Sequence, residues 1–264
     1  MTSGEPAVVS FGGAAGGGRG LHQFVVNRLG MMITSGELAT GAKIAPDDVG
    51  ASLGVSRTVV REALRVLEAK GLVRPRPKTG TRVLPPEEWN LLDQDVIAWR
   101  VRGPDRARQL SELLDLRLAV EVSAVRAACR NATADDIAAL RSDADDLFAA
   151  GGAGDHAGFT AADIRFHNRL LTASKNLVFG RFSESFAAVL VAREELATLP
   201  EHVDDPTLQE HRDLADAIAA RDEDRAAALA TQIIEQSRAE VLARLDAATS
   251  RPRKPPLVYP PAVD

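Results

Sequence analysis

The residues best placed to do chemistry are an aspartate and a histidine one helical turn apart. Asp163 and His167 stand at positions i and i+4 of a stretch with helical spacing, so both side chains would lie on one face of a helix. At that spacing the carboxylate and the imidazole are close enough to share a cation. A second histidine, His211, follows in a later helical stretch. The sequence therefore predicts a polar site that uses these side chains.

Three interpretations of this pair stay open. The favoured one is a metal site that also binds a small ligand, and the second is a metal-free polar pocket in which Asp163 and His167 share a hydrogen bond. The third is a surface ion pair, which the presence of His211 disfavours. Two histidines and one carboxylate around a metal also describe non-haem iron oxygenases. We expect no enzyme, because the sequence contains neither a strand-built oxygenase scaffold nor an additional catalytic base.

The elements that must position these residues are helices. Short breaks separate the helical patterns from residue 105 onward, which favours antiparallel neighbours in a bundle. The predicted helices are 106–130, 134–150, 155–172, 177–198, 207–220 and 222–249. The predicted fold class is therefore mostly α, with an all-α helical bundle in the C-terminal part.

The stretch 45–83 instead has the pattern of a DNA-reading unit. Ser56 suits an N-cap, and Gly71 suits the left-handed position that closes a helix. A helix is therefore predicted between these two residues. A shorter helix over residues 47–53 comes before it, and a tight turn joins the two, as in a helix-turn-helix. Apolar spacing buries one side of the second helix and presents the other to solvent. The presented side carries Arg57, Thr58, Arg61 and Arg65.

Two short strands, 72–75 and 81–84, are predicted to follow, with a basic tip at 76–80 that can lie along phosphates. The charge distribution agrees with this reading. Residues 19–84 contain 11 lysines and arginines against 5 aspartates and glutamates, a net charge of +6, whereas residues 85–264 carry a net charge of −10. Double-stranded DNA is therefore the expected partner of the basic part.

Three segments together resemble the winged helix of the GntR family of bacterial transcription regulators. They are 55–58 (VSRT), 61–64 (REAL) and 67–73 (LEAKGLV). The resemblance implies that the operator is read by the start of the second helix, with the tip of the wing alongside it. The residues concerned are Ser56, Arg57, Thr58, Arg61, Lys78, Thr79 and Gly80. One departure is that Asp47 stands where many members carry an arginine.

The helical part resembles the FCD effector domain of one branch of that family, a bundle with a ligand cavity in its core. The resemblance implies a metal site formed by Asp163, His167 and His211, which suits zinc first, with nickel, manganese or iron as alternatives. Gln232 takes the position of a further family histidine, and glutamine is the poorer metal ligand, so we expect it only among the effector contacts. Arg117 matches a family arginine at the cavity wall, where a guanidinium can pair bidentately with a carboxylate. Its alternative is a helical salt bridge to Glu121.

The resemblance further implies a homodimer that represses a sugar-acid operon and is released by a small carboxylate such as galactonate or gluconate. A metal-free sensor of an acyl-type effector is the alternative. The expected organisation is a disordered tail at 1–20, a winged helix-turn-helix domain at 21–84, a linker at 85–104, an effector-binding and dimerisation domain at 105–250, and a disordered tail at 251–264.

The linker carries two large aromatic anchors, Trp89 and Trp99, which suggests docking in place of free tethering. The sequence has no long apolar run, no signal-peptide pattern and a single cysteine, Cys129. We therefore expect a cytoplasmic protein without a membrane span.

Overall fold

A computed structural model describes residues 18–76, 80–195 and 205–249 of the 264-residue chain. The described chain divides into two compact units. The first contains residues 18–112 and 181–192, and the second contains residues 113–180 and 193–249. The division falls inside one long helix, after Glu112.

Up to residue 101, the first unit contains four α-helices and a small sheet. Its elements up to residue 101 are α1 (Gly18–Thr34), β1 (Lys43–Ile44), α2 (Pro46–Leu53), α3 (Arg57–Ala69), β2 (Val73–Arg76), β3 (Gly80–Val83), a 3-10 turn (Pro86–Glu88) and α4 (Gln94–Val101). This is the predicted winged helix-turn-helix with one strand, β1, that the sequence reading did not contain. The sheet order is β1-β3-β2, and both pairs are antiparallel.

The caps of α3 follow the sequence closely. The Ser56 hydroxyl accepts a hydrogen bond from the Val59 N–H, and Gly71 adopts a φ of 76° just after the helix. The apolar side of α3 joins α1, α2 and the sheet in one core, because Val60, Ala63 and residues further along the same stripe are buried. The opposite side of α3 is consequently presented to solvent at its N-terminal end.

The two tryptophans anchor residues 85–101 to this core. The Trp89 indole donates to the carbonyl of Leu84 at 2.9 Å, and the Trp99 indole donates to Asn27 at 3.3 Å. Trp99 lies directly on α1 at Gly30, where a Cβ would come within 2.5 Å of the ring. The segment predicted as a linker is therefore packed on the winged helix, and part of it forms α4.

The bundle of the second unit is built mainly from long helices, and two helices after residue 101 are shared with the first unit, which contains residues 106–112 of one and 183–192 of the other. The remaining elements of the chain are α5 (Arg106–Asn131), α6 (Ala134–Gly152), α7 (His156–Ala173), α8 (Leu177–Gly180), α9 (Ser183–Glu195), α10 (Asp205–Ala219) and α11 (Glu223–Thr249). Five of them agree with the predicted helices to within about two residues at each end. Phe166, Leu170, Leu214 and Ile218 belong to the core between α7 and α10.

The prediction of one helix over 177–198 is wrong. The structure has two helices there, α8 and α9, separated by Arg181 and Phe182. The apolar residues of α8 do not serve a buried face, because Leu177 is 89% exposed and Val178 is 67% exposed. The apolar spacing over 177–198 therefore spans two separate helices, and the prediction treated them as one. The predicted tails at 1–20 and 251–264 lie outside the described residues, except for residues 18–20, which begin α1.

Candidate functional site

The second unit brings together three of the residues predicted to bind a metal. Asp163 and His167 lie on α7, His211 lies on α10, and all three are buried. One ligand atom from each lies within 4.8 Å of the other two. The Asp163 Oδ1 atom is 3.1 Å from His167 Nε2 and 3.6 Å from His211 Nε2. The i, i+4 spacing predicted the first pair, and the packing of α10 on α7 supplies the third ligand.

The other nitrogen of each ring fixes which atom faces the cluster. The Nδ1 atom of His167 is 2.5 Å from Glu121 Oε2, and the Nδ1 atom of His211 is 3.0 Å from the carbonyl oxygen of Thr207. A carbonyl oxygen can only accept, so the Nδ1 atom of His211 donates to Thr207 and its Nε2 atom faces Asp163. Metal-binding histidines are oriented in this way by carboxylates and carbonyls.

The cluster fits a divalent cation. Among the described residues, Asp163 Oδ1 and His211 Nε2 have no hydrogen-bond partner although both are buried. Buried polar atoms rarely stay unsatisfied. Two ligand atoms bound about 2.0–2.2 Å from one ion lie about 2.9–3.6 Å apart, and the distances from Asp163 Oδ1 to the two histidine nitrogens, 3.1 and 3.6 Å, fall in this range. The donor set of one oxygen and two nitrogens suits zinc, nickel, manganese or iron and leaves positions open.

The charges around the cluster are arranged to keep the carboxylates ionised. Burial alone would raise the pKa of Glu121, but the charges of Arg117 and His167 and hydrogen bonds from both lower it to about 2. Burial would likewise raise the pKa of Asp163, yet the two histidines hold it well below its usual range. Burial lowers the pKa of His167, and the charge of Glu121 outweighs this and raises it. A proton and a cation would thus compete for His167.

Beyond the cluster, the same cavity has two further positive groups. Arg117 and Arg193 are 1% and 5% exposed, and each is paired with a carboxylate, at 2.7 Å to Glu121 and at 2.8 Å to Glu240. Arg117 therefore lies at the cavity wall and also forms the helical salt bridge, whereas its contact with an effector stays a prediction. The space between the lining atoms is about 430 Å³, its open mouth included. The remaining lining residues are Phe159, Thr207, Ile233, Ile234, Gln236 and Ser237.

The predicted placement of Gln232 at the cavity is wrong. Its side chain lies on the exposed face of α11, where its amide contacts Glu210 at 2.5 Å. Gln236, one turn later, lines the cavity and donates to the Thr207 hydroxyl. The packing of α11 therefore brings to the cavity a residue one turn later than the one predicted from the resemblance.

Several cavity residues were not predicted. Glu121 was considered only as the partner of Arg117, although its second carboxylate oxygen holds His167. Its position four residues after Arg117 was the only feature of the sequence that could have pointed to Glu121 as part of the site. Sequence spacing alone gave no signal for Arg193, Ser237 and Glu240, because they come from α9 and α11 and meet the cluster only through packing.

The predicted DNA-reading residues lie together at the start of α3. Arg57, Thr58 and Arg61 are exposed, and Ser56 serves as the N-cap. Gly80, at the start of β3, has a φ of 88°, which suits the end of a tight wing turn. Lys78 and Thr79 lie outside the described residues. Arg57 makes an ion pair with Asp47 at the beginning of α2, with Nε 3.3 Å from Oδ1.

Within the part of the chain that the structure describes, no helix is both long and apolar enough to cross a bilayer.

Comparison with known proteins gives matches in both units. The family model described as bacterial regulatory proteins, gntR family, matches residues 21–83, and the FCD domain model matches residues 112–236. The galactonate operon transcriptional repressor of Escherichia coli K12 is 32% identical over 81% of this chain and 93% of its own length. The transcriptional repressor NanR of Klebsiella aerogenes is 29% identical over 78% of this chain and 79% of its own length.

A solved structure shares the fold. That of Lar, described as controlling the expression of the Listeria monocytogenes agr system, superposes with a TM-score of 0.63 at 16% sequence identity. The match covers 84% of this chain and 97% of the other. At this identity the similarity concerns the fold alone.

Proposed function

Because the chain belongs to the GntR family of bacterial transcription regulators and carries the FCD domain of one of its branches, we propose that it represses a sugar-acid catabolic operon and is released by a small carboxylate. The family makes the chain a transcription regulator and not an enzyme. The proposal concerns its effector, its metal and the residues that read the operator.

The convergence of Asp163 Oδ1, His167 Nε2 and His211 Nε2 in a buried cavity is the observation that carries the proposal. These three residues would hold a divalent cation, which binds oxygen atoms of the effector as a Lewis acid. Glu121 and the Thr207 carbonyl orient the two rings from behind. Three protein ligands leave coordination positions free for a chelating molecule.

A sugar acid of the galactonate or gluconate type fits this arrangement. Its carboxylate and 2-hydroxyl can chelate one cation, whose charge would compensate that of the ligand, and the guanidinium groups of Arg117 and Arg193 line the same cavity as hydrogen-bond donors. The hydroxyl of Ser237, which is buried and lacks a hydrogen-bond partner among the described residues, is available to a ligand hydroxyl. An acyl-type effector is the weaker alternative, because Phe159, Ile233 and Ile234 are the only apolar residues among those that line the described cavity.

The operator-reading residues in this proposal are Arg57, Thr58 and Arg61 at the exposed start of α3. Arginine is the side chain best shaped to pair with two acceptors of guanine, whereas Lys78, Thr79 and Gly80 of the wing would follow phosphates. One such helix covers only a few base pairs, so we propose a homodimer on a two-fold symmetric operator. Sedimentation of free protein and of its DNA complex tests this, and a monomer in both would contradict it.

Release from the operator follows from linkage. A ligand that binds the DNA-free protein more tightly than the DNA-bound protein weakens DNA binding, and DNA weakens ligand binding by the same factor. The proposal therefore requires that galactonate or gluconate bind less tightly when operator DNA is present.

Metal analysis combined with a ligand screen tests the effector proposal. Protein purified without added metal should contain about one divalent ion per chain, and galactonate or gluconate at 100 times its dissociation constant should stabilise the fold by about 2.7 kcal/mol. A chelator, or the Asp163→Ala substitution, should remove this stabilisation. Stabilisation by an acyl thioester that persists in the chelator would instead support the metal-free alternative.

A further inference from the structure

The ion pair between Asp47 and Arg57 joins the two helices of the helix-turn-helix. Asp47 lies in the first turn of α2 and Arg57 is the first residue of α3. The Arg57 Nε atom is 3.3 Å from Asp47 Oδ1, and the side chains are 57% and 64% exposed, respectively. The pair therefore lies at the surface, at the end of α3 that presents the proposed base-reading residues.

The contact with Asp47 involves only the Nε side of the Arg57 guanidinium group. Nε faces the carboxylate, so the two terminal nitrogens are available as a fork. Guanine presents two acceptors, O6 and N7, to such a fork in the major groove. A carboxylate on the Nε side limits rotation of the guanidinium plane and so reduces the conformational freedom lost when the fork meets a base.

We propose that Asp47 is a positioning residue that sets the base specificity of Arg57 by holding its terminal nitrogens toward guanine. This inference rests on the proposed reading role of Arg57 and deepens it. Asp47 itself would touch no base.

Stability does not account for the pair. An exposed ion pair contributes about 0–1 kcal/mol to folding. A carboxylate beside a DNA-reading helix also repels phosphates and lowers affinity for every sequence. Placing Asp47 next to Arg57 thus exchanges general affinity for discrimination between bases.

The neighbouring residue Asp48 provides a matched control. It lies in the same first turn of α2, is exposed, and forms no ion pair within the described residues. Both carboxylates interact favourably with the N-terminal end of the α2 dipole. Removing either charge should therefore affect the helix and the phosphates alike, and only removal of Asp47 should affect Arg57.

The experiment begins with selection of binding sites from a randomised duplex pool by the full-length wild-type protein. Duplexes with each base at each selected position are then titrated with wild type, Asp47→Asn, Asp48→Asn, Arg57→Ala and the Asp47→Asn, Arg57→Ala double variant. We expect wild type to prefer guanine at one position per half-site by about 5- to 150-fold, the range for a bidentate contact. Asp47→Asn should reduce that preference at this position alone, by up to about 5-fold, because an exposed ion pair contributes about 0–1 kcal/mol.

The double variant identifies the route of the effect. If Asp47 acts through Arg57, Asp47→Asn should change no base preference once Arg57 is alanine, whereas a change that persists there would mean that Asp47 reads a base directly and would overturn the positioning role. An equal gain of affinity for all duplexes, matched by Asp48→Asn, would overturn it as well. If Arg57→Ala alone leaves every base preference intact, the proposed reading role fails first, and this inference fails with it. Equal melting temperatures for the two asparagine variants would confirm that folding does not explain a difference.

Discussion

The two units use their functional side chains in opposite environments. At the start of α3, Arg57 and Arg61 are exposed and lie on one helix. In the cavity, Asp163, His167 and His211 are buried, and a further buried carboxylate, Glu121, comes from another helix. An exposed side chain can act from its own helix, because water solvates whatever it does not bind. A buried charge needs partners from neighbouring helices, so the cavity should be far more sensitive to single changes than the reading surface.

The largest expected effect is loss of the response to the effector, with operator binding retained. Asp163→Ala combined with His211→Ala removes two of the three ligand atoms and should abolish metal binding and release by galactonate or gluconate. Operator affinity should stay within about threefold of wild type, since the reading residues belong to the first unit. Fluorescence anisotropy on operator DNA with increasing effector measures both quantities.

The matched control for that double variant is Gln232→Ala. Gln232 is exposed on α11, and its replacement should leave the response intact. Release of the double variant at the wild-type effector concentration would show that the cavity is not the effector site.

The next largest effect is expected for Glu121, which contacts His167 through the ring nitrogen that faces away from the cluster. Glu121→Gln keeps the shape of the side chain but removes the charge that orients His167 through Nδ1. Such changes reduce metal affinity by about 10- to 100-fold, which competition with a metal indicator would measure. Glu112→Gln, at an exposed position of the same helix, is the control. Unchanged metal affinity in Glu121→Gln would mean that Glu121 does not orient His167 for a metal, and absence of metal binding by the wild type would argue for the metal-free polar pocket.

A smaller effect is expected on the reading surface. Arg61→Ala should cost about 1–3 kcal/mol at one base position if the side chain reads a base, whereas Lys78→Ala should weaken binding to all sequences alike and flatten its salt dependence. Titrations of selected and random duplexes at several salt concentrations distinguish the two. Equal losses on both duplexes for Arg61→Ala would assign it to phosphates and weaken the contrast between the two residues.

The smallest effect tests whether the exposure of a residue, and not the unit to which it belongs, determines how strongly its substitution affects the protein. At the start of α6 in the second unit, the Thr133 hydroxyl and the Asp136 carboxylate form a capping box. Thr133→Ala should cost about 1 kcal/mol in the free energy of unfolding, as for an exposed cap elsewhere. Chemical denaturation measures this, and Ser123→Ala, at an exposed position inside α5, is the control. A loss of several kcal/mol would mean that the cap supports the cavity.

The same cap predicts a pH dependence. A hydrogen bond from Lys175 outweighs partial desolvation and lowers the pKa of Asp136 to about 2. The folded pKa lies below the unfolded value of about 3.9, so the carboxylate contributes stability above about pH 4, and this contribution is lost as the pH falls from 4 to 2. In Asp136→Asn this part of the acid dependence should be absent, whereas Asp135→Asn should retain it.

Sequence alone determined the features that depend on one helix. The Ser56 cap, the left-handed Gly71, the exposed arginines of α3 and the Asp163–His167 pair all follow from spacing within about one or two turns. Such spacing is set by the 3.6-residue helical period, which holds whatever the rest of the chain does. The winged helix and the helical character of the C-terminal part were likewise predictable, because the winged-helix segments and the helical periodicity are local in sequence.

Tertiary structure alone decided which faces meet. It placed Gln236 at the cavity in place of Gln232, gave Glu121 its second contact with His167, and divided the predicted helix 177–198 in two. Each of these depends on how one helix packs against others. Gln232 and Gln236 are one turn apart, so helical spacing alone is consistent with either residue at the cavity. The close packing of side chains between helices selects one of them.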